Sequence, residues 1–237
     1  VRLSDDGYVS EQYRTLDNLE TRTSVWQLDP SGQSPQDLVL KTLREVGAKK
    51  VLEVGSGTGA LAARIAKEIN CEVVATDSSA AMVSASRSLG VAAILADVRE
   101  LPFGDESFDA VVAAWMLYHV SPLNKALEEI VRVLRRGGRL VAITNGRDHL
   151  AELWRVIETE HDEPAFSVGN GAAILQAHFA FVEQHDVVTS AIFDSRTAAA
   201  AYLRSLEHAD LIERLPQSGW PLYARGATTV LVASGAK

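Results

Sequence analysis

The sequence predicts an α/β protein built on a doubly wound, mainly parallel sheet, and three observations carry that prediction. Short apolar segments of strand character alternate with amphipathic segments of helical period from about residue 36 to residue 145. One of the strands, FDAVVAAWM at 108–116, is almost unbroken in apolar residues, as a strand covered on both faces should be. The stretch VLEVGSGTG at 51–59 closes a strand with three glycines in five residues, just where the chain turns from strand into helix.

Each element has its own justification. Ser34-Pro35 followed by Asp37 supplies an N-cap, a first-turn proline and a capping acid. Val39, Leu43 and Val46 then fall at i, i+4 and i+7, and Gly47 ends that helix. VLEV (51–54) is the first sheet strand, and ALAARIAKEI (60–69) is a helix with Leu61, Ile65 and Ile69 on one face. EVVATD (72–77) is a strand, AAMVSASRSL (80–89) a helix, AAILAD (92–97) a third strand and 108–116 a fourth. SPLNKALEEIVRVLRRGG (121–138) starts on Ser121-Pro122, carries Leu127, Ile130, Val131 and Leu134 on one stripe, and stops at Gly137-Gly138. RLVAIT (139–144) is the fifth strand. Strands joined by helices of this length require right-handed crossovers, hence the parallel sheet. After about residue 145 the rhythm changes. HLAELWRVIETE (149–160) is amphipathic, and FVEQHDVVTSAIF (181–193) and TTVLVAS (228–234) are strands separated by the helical piece RTAAAAYLRSL (196–206). Two strands joined through such an excursion suit an antiparallel edge, with their order left open by the pattern.

Composition narrows the classes. A chain of 237 residues without internal repeats or a long linker reads as one domain. No run of about 18 apolar residues suggests a membrane span, and VRLSDDGYVSEQY at the start has no apolar core of a secretory signal. Cys71 is the single cysteine, so no internal disulfide forms and a reducing, cytoplasmic location is expected. A net charge of −8 argues against a large nucleic-acid footprint. Arg132, Arg135, Arg136 and Arg139 form a local basic group, read either as a solvated helix end or as a patch.

The glycines need a reason. In a doubly wound sheet, ligands sit beyond the carboxyl ends of the strands. Gly55, Gly57 and Gly59 lie at such an end, where bare backbone and the unpaired N–H groups of the next helix can approach an anionic group. Their spacing, G-S-G-T-G, departs from the G-x-G-x-x-G of dinucleotide sites. Asp77 ends the second strand, where a carboxylate can accept from both hydroxyls of a ribose or, alternatively, cap the helix near Ala80. Asp97 ends the third strand and can accept from the exocyclic amine of adenine, beside the backbone of Val98. Glu53, inside an apolar strand, must be hydrogen-bonded or lie near positive charge. A cationic ligand suits this acidic rim, whereas a pyrophosphate does not.

VLEVGSGTG, VVATD, ADVRELPF, FDAVVAAWMLYHV and VLRRGGRLV, in this order, resemble the class I S-adenosylmethionine-dependent methyltransferases, especially the small-molecule group, over about residues 36 to 145. The resemblance implies S-adenosyl-L-methionine as cofactor, S-adenosyl-L-homocysteine as its product, and a seven-stranded Rossmann-like sheet with an antiparallel last strand. It implies that Gly55, Ser56, Gly57 and Gly59 wrap the methionine part, with Glu53 at the acidic position before them. It further implies that Asp77 holds the ribose, that Ser78 and Met82 contact adenine with Asp97 and Val98, and that Ala114 and Trp115 face the reaction centre. A single domain then divides into a helical lid at 1–34, a cofactor-binding core at 35–145 and a substrate side at 146–237.

Methyl transfer from a sulfonium is an in-line displacement by an O, N, S or C nucleophile, so positioning is the enzyme's main task. The acceptor expected is a small organic molecule, and neither nucleic acid, membrane nor metal is expected to take part; a monomer or homodimer is. Tyr118 reads as a wall of the cleft. His119 reads as a helix-start or packing histidine, or as a general base. Tyr13, Arg14, Arg22 and Trp26, within 11–28, belong to a lid over the site or to a helix covering the sheet edge. Trp154, His178, Phe179, Tyr202, Trp220 and Tyr223 are later aromatics that can line an acceptor pocket or fill the core. His161, Asp162 and Glu163 are adjacent and converge poorly on a metal, and no G-x-S-x-G elbow marks a hydrolase. Two other classes stay open: a nicotinamide-dependent oxidoreductase, which shares the ribose acid, and a regulatory protein that binds the cofactor without transfer.

Overall fold

The computed structural model describes Gly7 and residues 17–27, 34–159 and 163–237. Eight strands form one sheet in the order β1-β7-β8-β6-β5-β2-β3-β4. Strands β2 (Lys50–Val54), β3 (Glu72–Asp77), β4 (Ala92–Leu95), β5 (Phe108–Ala114) and β6 (Leu134–Asn145) run parallel. On the far side β8 (Leu222–Ala236) lies antiparallel between β6 and β7 (Phe179–Phe193). The expected seven strands with an antiparallel last one are all present. The eighth is β1, Trp26–Gln27, which pairs antiparallel with the end of β7.

Alternation along the central strands builds a core on each face of the sheet. Leu52, Val54, Val111, Ala113, Leu140 and Ala142 face one cluster, joined by Ala126, Leu127, Ile130 and Val133 from a helix at Leu123–Val133. Val51, Ala110, Val112, Val141 and Ile143 face the other, packed with the helices α2 (Pro35–Glu45), α3 (Ala60–Ile69) and α4 (Ala80–Ser88), α1 being Asp17–Ser24. The helix at Leu123–Val133 is α5. The capping box read from Ser34 and Asp37 is present: Asp37 N donates to Ser34 Oγ at 3.2 Å and Ser34 N to Asp37 Oδ2 at 2.9 Å. A third cluster gathers Leu153, Trp154, Ile157, Phe193, Tyr202, Leu203 and Leu211 from α6 (Ala151–Val156), β7, α8 (Arg196–Ser205, α7 being Gly171–Gln176) and a 3₁₀ segment at Ala209–Arg214.

Three elements differ from the expectation, each for a local reason. The helix expected to run to Gly137-Gly138 ends at Val133, because Leu134 pairs with Phe108 and the ladder resumes only at Arg139 opposite Ala110. The arginines that follow are therefore on a bulged strand entry rather than a helix end. Arg132 pairs with Glu129 and Asp105, Arg135 with Asp109 and Arg136 with Glu106, so carboxylates take up three of the four arginines of the basic group. Helix α6 is only six residues long, entered through a left-handed Leu150 at φ +58°. The stretch read as an N-terminal helix over 11–28 is helical at Asp17–Ser24 and then turns at Val25 into β1. Tyr13, Arg14 and the lid segment around them lie outside the described residues, as do His161 and Asp162. No helix among the described residues is long and apolar enough to cross a membrane.

Candidate active site

The carboxyl ends of β2, β3, β4 and β5 open onto one cleft of about 1360 Å³, more than a single drug-sized ligand fills. The β2–α3 loop forms its floor, with Gly55, Gly57 and Gly59 all at positive φ. Ser56 N donates to Thr76 O at 3.0 Å and Gly57 N to Asp77 Oδ2 at 2.9 Å, so the loop is tied to the end of β3. Gly59 does a different job: a Cβ there would lie 2.6 Å from Ser86 Oγ, so its bareness lets α3 pack against α4. Because the N-cap of α3 is this glycine, no side chain caps the helix start.

Two acids dominate the electrostatics. Glu53 is only 2% exposed, and its Oε2 has no hydrogen-bond partner among the described residues. Burial pushes its pKa from 4.5 up to about 8; the Ala62 N–H in the first turn of α3 pulls it down, and the Asp77 charge pushes it further up. The Ser56 hydroxyl is buried and unpartnered as well. Two buried polar atoms left unanswered on the wall of a cleft are a cradle for a polar ligand. Asp77 Oδ2 accepts from Gly57 N and Oδ1 from Ser79 N, each at 2.9 Å. Burial raises the Asp77 pKa against those N–H groups. Ser79, not Asp77, caps α4, which leaves the Asp77 carboxylate facing the cleft.

The remaining expected residues fall into three groups. Ser78, Asp97 and Val98 line the cleft, and Asp97 is clamped by Arg99, whose Nη2 lies 2.6 Å from Oδ2. That guanidinium holds the Asp97 carboxyl below its usual range, and Arg99 also donates to the Ser121 carbonyl. Ala114, Trp115, Tyr118 and His119 line it from the end of β5, the last two on a 3₁₀ turn (Leu117–His119) with their rings 4.5 Å apart. Trp26 reaches the same space from β1. Gly59 and Met82 do not line the cleft: Met82, 1% exposed, belongs to the interior below α4. Of the later aromatics, Trp154 and Tyr202 line it, Phe179 is in the core, and Tyr223 is 63% exposed on the sheet. Asn145, His149 and Thr228 line it without having been singled out from the sequence. Asn145 ends β6, so the same strand-end rule that marks Asp77 and Asp97 marks it.

Residues 52–142 match the family described as a methyltransferase domain. The match takes in the β2–β6 part of the chain, which is therefore similar to methyltransferase domains. An uncharacterized methyltransferase of Mycobacterium tuberculosis, Rv3342, is 34% identical over 151 residues, covering 61% of this chain and 59% of that protein. A demethylmenaquinone methyltransferase of Beutenbergia cavernae is 41% identical over 105 residues, 42% of this chain and 43% of its own. The chain thus spans less than two thirds of the length of the curated relatives it matches. Among solved structures, the YcgJ protein of Bacillus subtilis superposes with a TM-score of 0.62 at 19% identity, over 86% of this chain and 98% of its own. A phosphoethanolamine N-methyltransferase of Haemonchus contortus, in complex with phosphomonomethylethanolamine and S-adenosylhomocysteine, has a TM-score of 0.63 at 16% identity, over 100% of this chain and 61% of its own. At these identities the likeness is one of fold.

The raised Glu53 pKa sets a pH dependence. Between about 4.5 and about 8 the folded chain holds a proton there that the unfolded chain has lost, so this contribution to stability falls as pH rises through that window. Denaturant titrations at about pH 5 and about pH 9 are expected to show Glu53→Gln close to wild type at the lower pH and more stable than wild type at the higher. Equal differences at both would contradict the assignment.

Proposed function

We propose that this cleft binds S-adenosylmethionine and that the chain transfers its methyl group to an O, N or C atom of a small organic molecule. The buried, unanswered Glu53 carboxylate behind the glycine loop carries the reading, because a cationic ligand turns an expensive buried acid into a paired one. In this reading Glu53, Ser56 and the backbone of Gly55 and Gly57 hold the methionine portion. Asp77, pre-set by the Gly57 and Ser79 amides, takes the ribose hydroxyls. Ser78, Asp97 and Val98 surround the base, with Arg99 fixing the Asp97 rotamer. Ala114 and Trp115 stand beside the reacting centre.

The bound cofactor supplies a methyl carbon already activated by its positive sulfur. The protein's part is alignment, which can remove about 7–11 kcal/mol of barrier. Leu19 and Arg22 of α1 and Trp26 of β1 also line the cleft, and in this reading they limit the access of water to it. In this reading His119, on the cleft wall just after β5, takes a proton from an acceptor that must lose one. Relatives named as demethylmenaquinone methyltransferases support a small-molecule acceptor. Their similarity covers 57% and 42% of this chain, so the acceptor wall has to be read from this chain's own residues.

Two measurements test the reading. Calorimetry is expected to show Asp77→Ala losing about 1–3 kcal/mol of affinity for S-adenosylhomocysteine, the scale of charge-assisted hydrogen bonds. Unchanged affinity in the folded variant would remove Asp77 from the site. A screen of acceptors with labelled methyl donor is expected to give turnover, and His119→Ala to lower it by about 10²–10⁴-fold with cofactor affinity intact. Near-normal turnover in that variant would leave His119 a wall residue, and tight cofactor binding without any turnover would favour a regulatory protein.

A further inference from the structure

Beyond the two-residue β1, which pairs with Ser190 and Ala191, the outer margin of β7 has no strand beside it among the described residues. We infer that a second copy of this chain pairs there, antiparallel along residues 179–189 about a two-fold axis through Gln184, so that the two sheets run on as one. The pairing is independent of what the cleft binds.

The backbone shows which groups face outward. Ile192 N donates to Val25 O at 2.9 Å, so residue 192 turns its polar groups toward the β1 side. His185 O accepts from Thr229 Oγ1 at 3.2 Å, so residue 185 turns its own toward β8. Successive residues of an antiparallel strand alternate in this respect, which directs the N–H and C=O groups of Ala180, Val182, Gln184, Asp186 and Val188 at the open margin. Natural sheet edges are commonly blunted by lysine, proline or a bulge. Residues 179–189 contain neither lysine nor proline. Their pairing with β8 runs without a shift from Phe179 opposite Ala236 to Thr189 opposite Gly226. The side chains of residues 183–186 are exposed on both faces of the strand, and Phe181 is 69% exposed, so the margin is open to an approaching strand.

Side chains choose the register. With the axis through Gln184, Phe181 stands opposite the partner's Val187, and Glu183 opposite the partner's His185. Both pairs fall at the closely spaced positions between hydrogen-bonded pairs, where cross-strand side chains touch. Ala180 meets the partner's Val188, and Asp186, set against the partner's Val182, keeps its own Gln184 Nε2 at 2.9 Å. Neighbouring registers lose this match. An axis through Glu183 or Asp186 sets like charges face to face, one through Val182 sets Glu183 against Phe181, and one through His185 sets Glu183 against Val187. Within one protomer Glu183 Oε2 and His185 Nε2 lie 3.7 Å apart on the same face, so the two-fold brings two such pairs together head to tail. The same patch then serves on both copies, and the contact closes on itself instead of growing into a fibre.

The test is sedimentation of the full chain between about 1 and about 100 μM, in about 0.15 M salt to screen the net charge of −8 on each copy. The mass is expected to rise from one chain to two across that range. Gln184→Pro removes an outward N–H, which the protomer's own sheet does not use, and removes it twice at the axis. It is expected to raise the dimer Kd at least about tenfold with the melting temperature close to wild type. His185→Glu sets an acid against the partner's Glu183 and is expected to raise the dimer Kd about three- to tenfold. Adding Glu183→Lys to it restores opposite charges in both pairs and is expected to bring the dimer back. A chain that stays monomeric throughout, whatever covers its edge, would overturn the inference. So would a dimer that Gln184→Pro leaves intact, or one in which the double variant dissociates as readily as His185→Glu. Where Gln184→Pro lowers the melting temperature, the charge pair alone decides.

Discussion

A carboxylate held inside a parallel sheet with one oxygen unanswered constrains everything around it. Glu53 sits on β2, flanked by β3 and β5, whose backbone groups are spent on the ladder. Among the described residues, the Ala62 N–H at the start of α3 is the backbone donor that reaches it. Asp77, across the loop, adds repulsion instead of relief, and its own charge is fixed there by the Gly57 and Ser79 amides. Two acids pressed together by backbone hydrogen bonds, over a loop stripped of side chains, are costly in an empty protein. The cost is offset when positive charge enters, which ties the stability of the fold to the occupancy of its cleft.

The cleft is built from two sources. The half proposed for the cofactor belongs to β2–β5, the part of the chain that falls within the methyltransferase-domain match at 52–142. Its second half comes from β1, the last residue of β6, α6 and α8, packed as a separate apolar cluster around Trp154, Phe193 and Tyr202. Asn145 and Trp115 stand at the seam, at the ends of neighbouring strands. Register between β5 and β6 therefore sets where the two halves meet, and a single pairing shift at Phe108–Ala110 fixes that register.

Much of this was legible from residue pattern. Strands β2, β3 and β5 are found within a few residues of their periodic segments; the strand-end rule marks Asp77 and Asp97, the polar oddity of an apolar strand marks Glu53, and the family resemblance marks Trp115. The failures are those of side chains that satisfy two patterns at once. Leu134 fits the apolar stripe of α5 and also the pairing with Phe108, and the longer-range pairing wins. Met82 was placed toward the adenine region by the family resemblance, but α4 turns it inward. The two-residue β1 hides behind a helical segment, because only the edge of β7 makes it a strand. The Arg99 clamp on Asp97 and the Trp115–Asn145–Thr228 relay depend on contacts between elements, with separations up to 83 residues that no local period encodes.

The most direct test of a cation-seeking Glu53 is the number of protons released when S-adenosylhomocysteine, with its ammonium group, binds at about pH 7. Calorimetry in two buffers of different ionisation heat measures it. Release approaching about one proton in wild type, and almost none in Glu53→Gln, is the predicted result, because a nearby positive charge lowers the carboxyl pKa from about 8 to below the working pH. The same release from both proteins, or none from wild type, would contradict it.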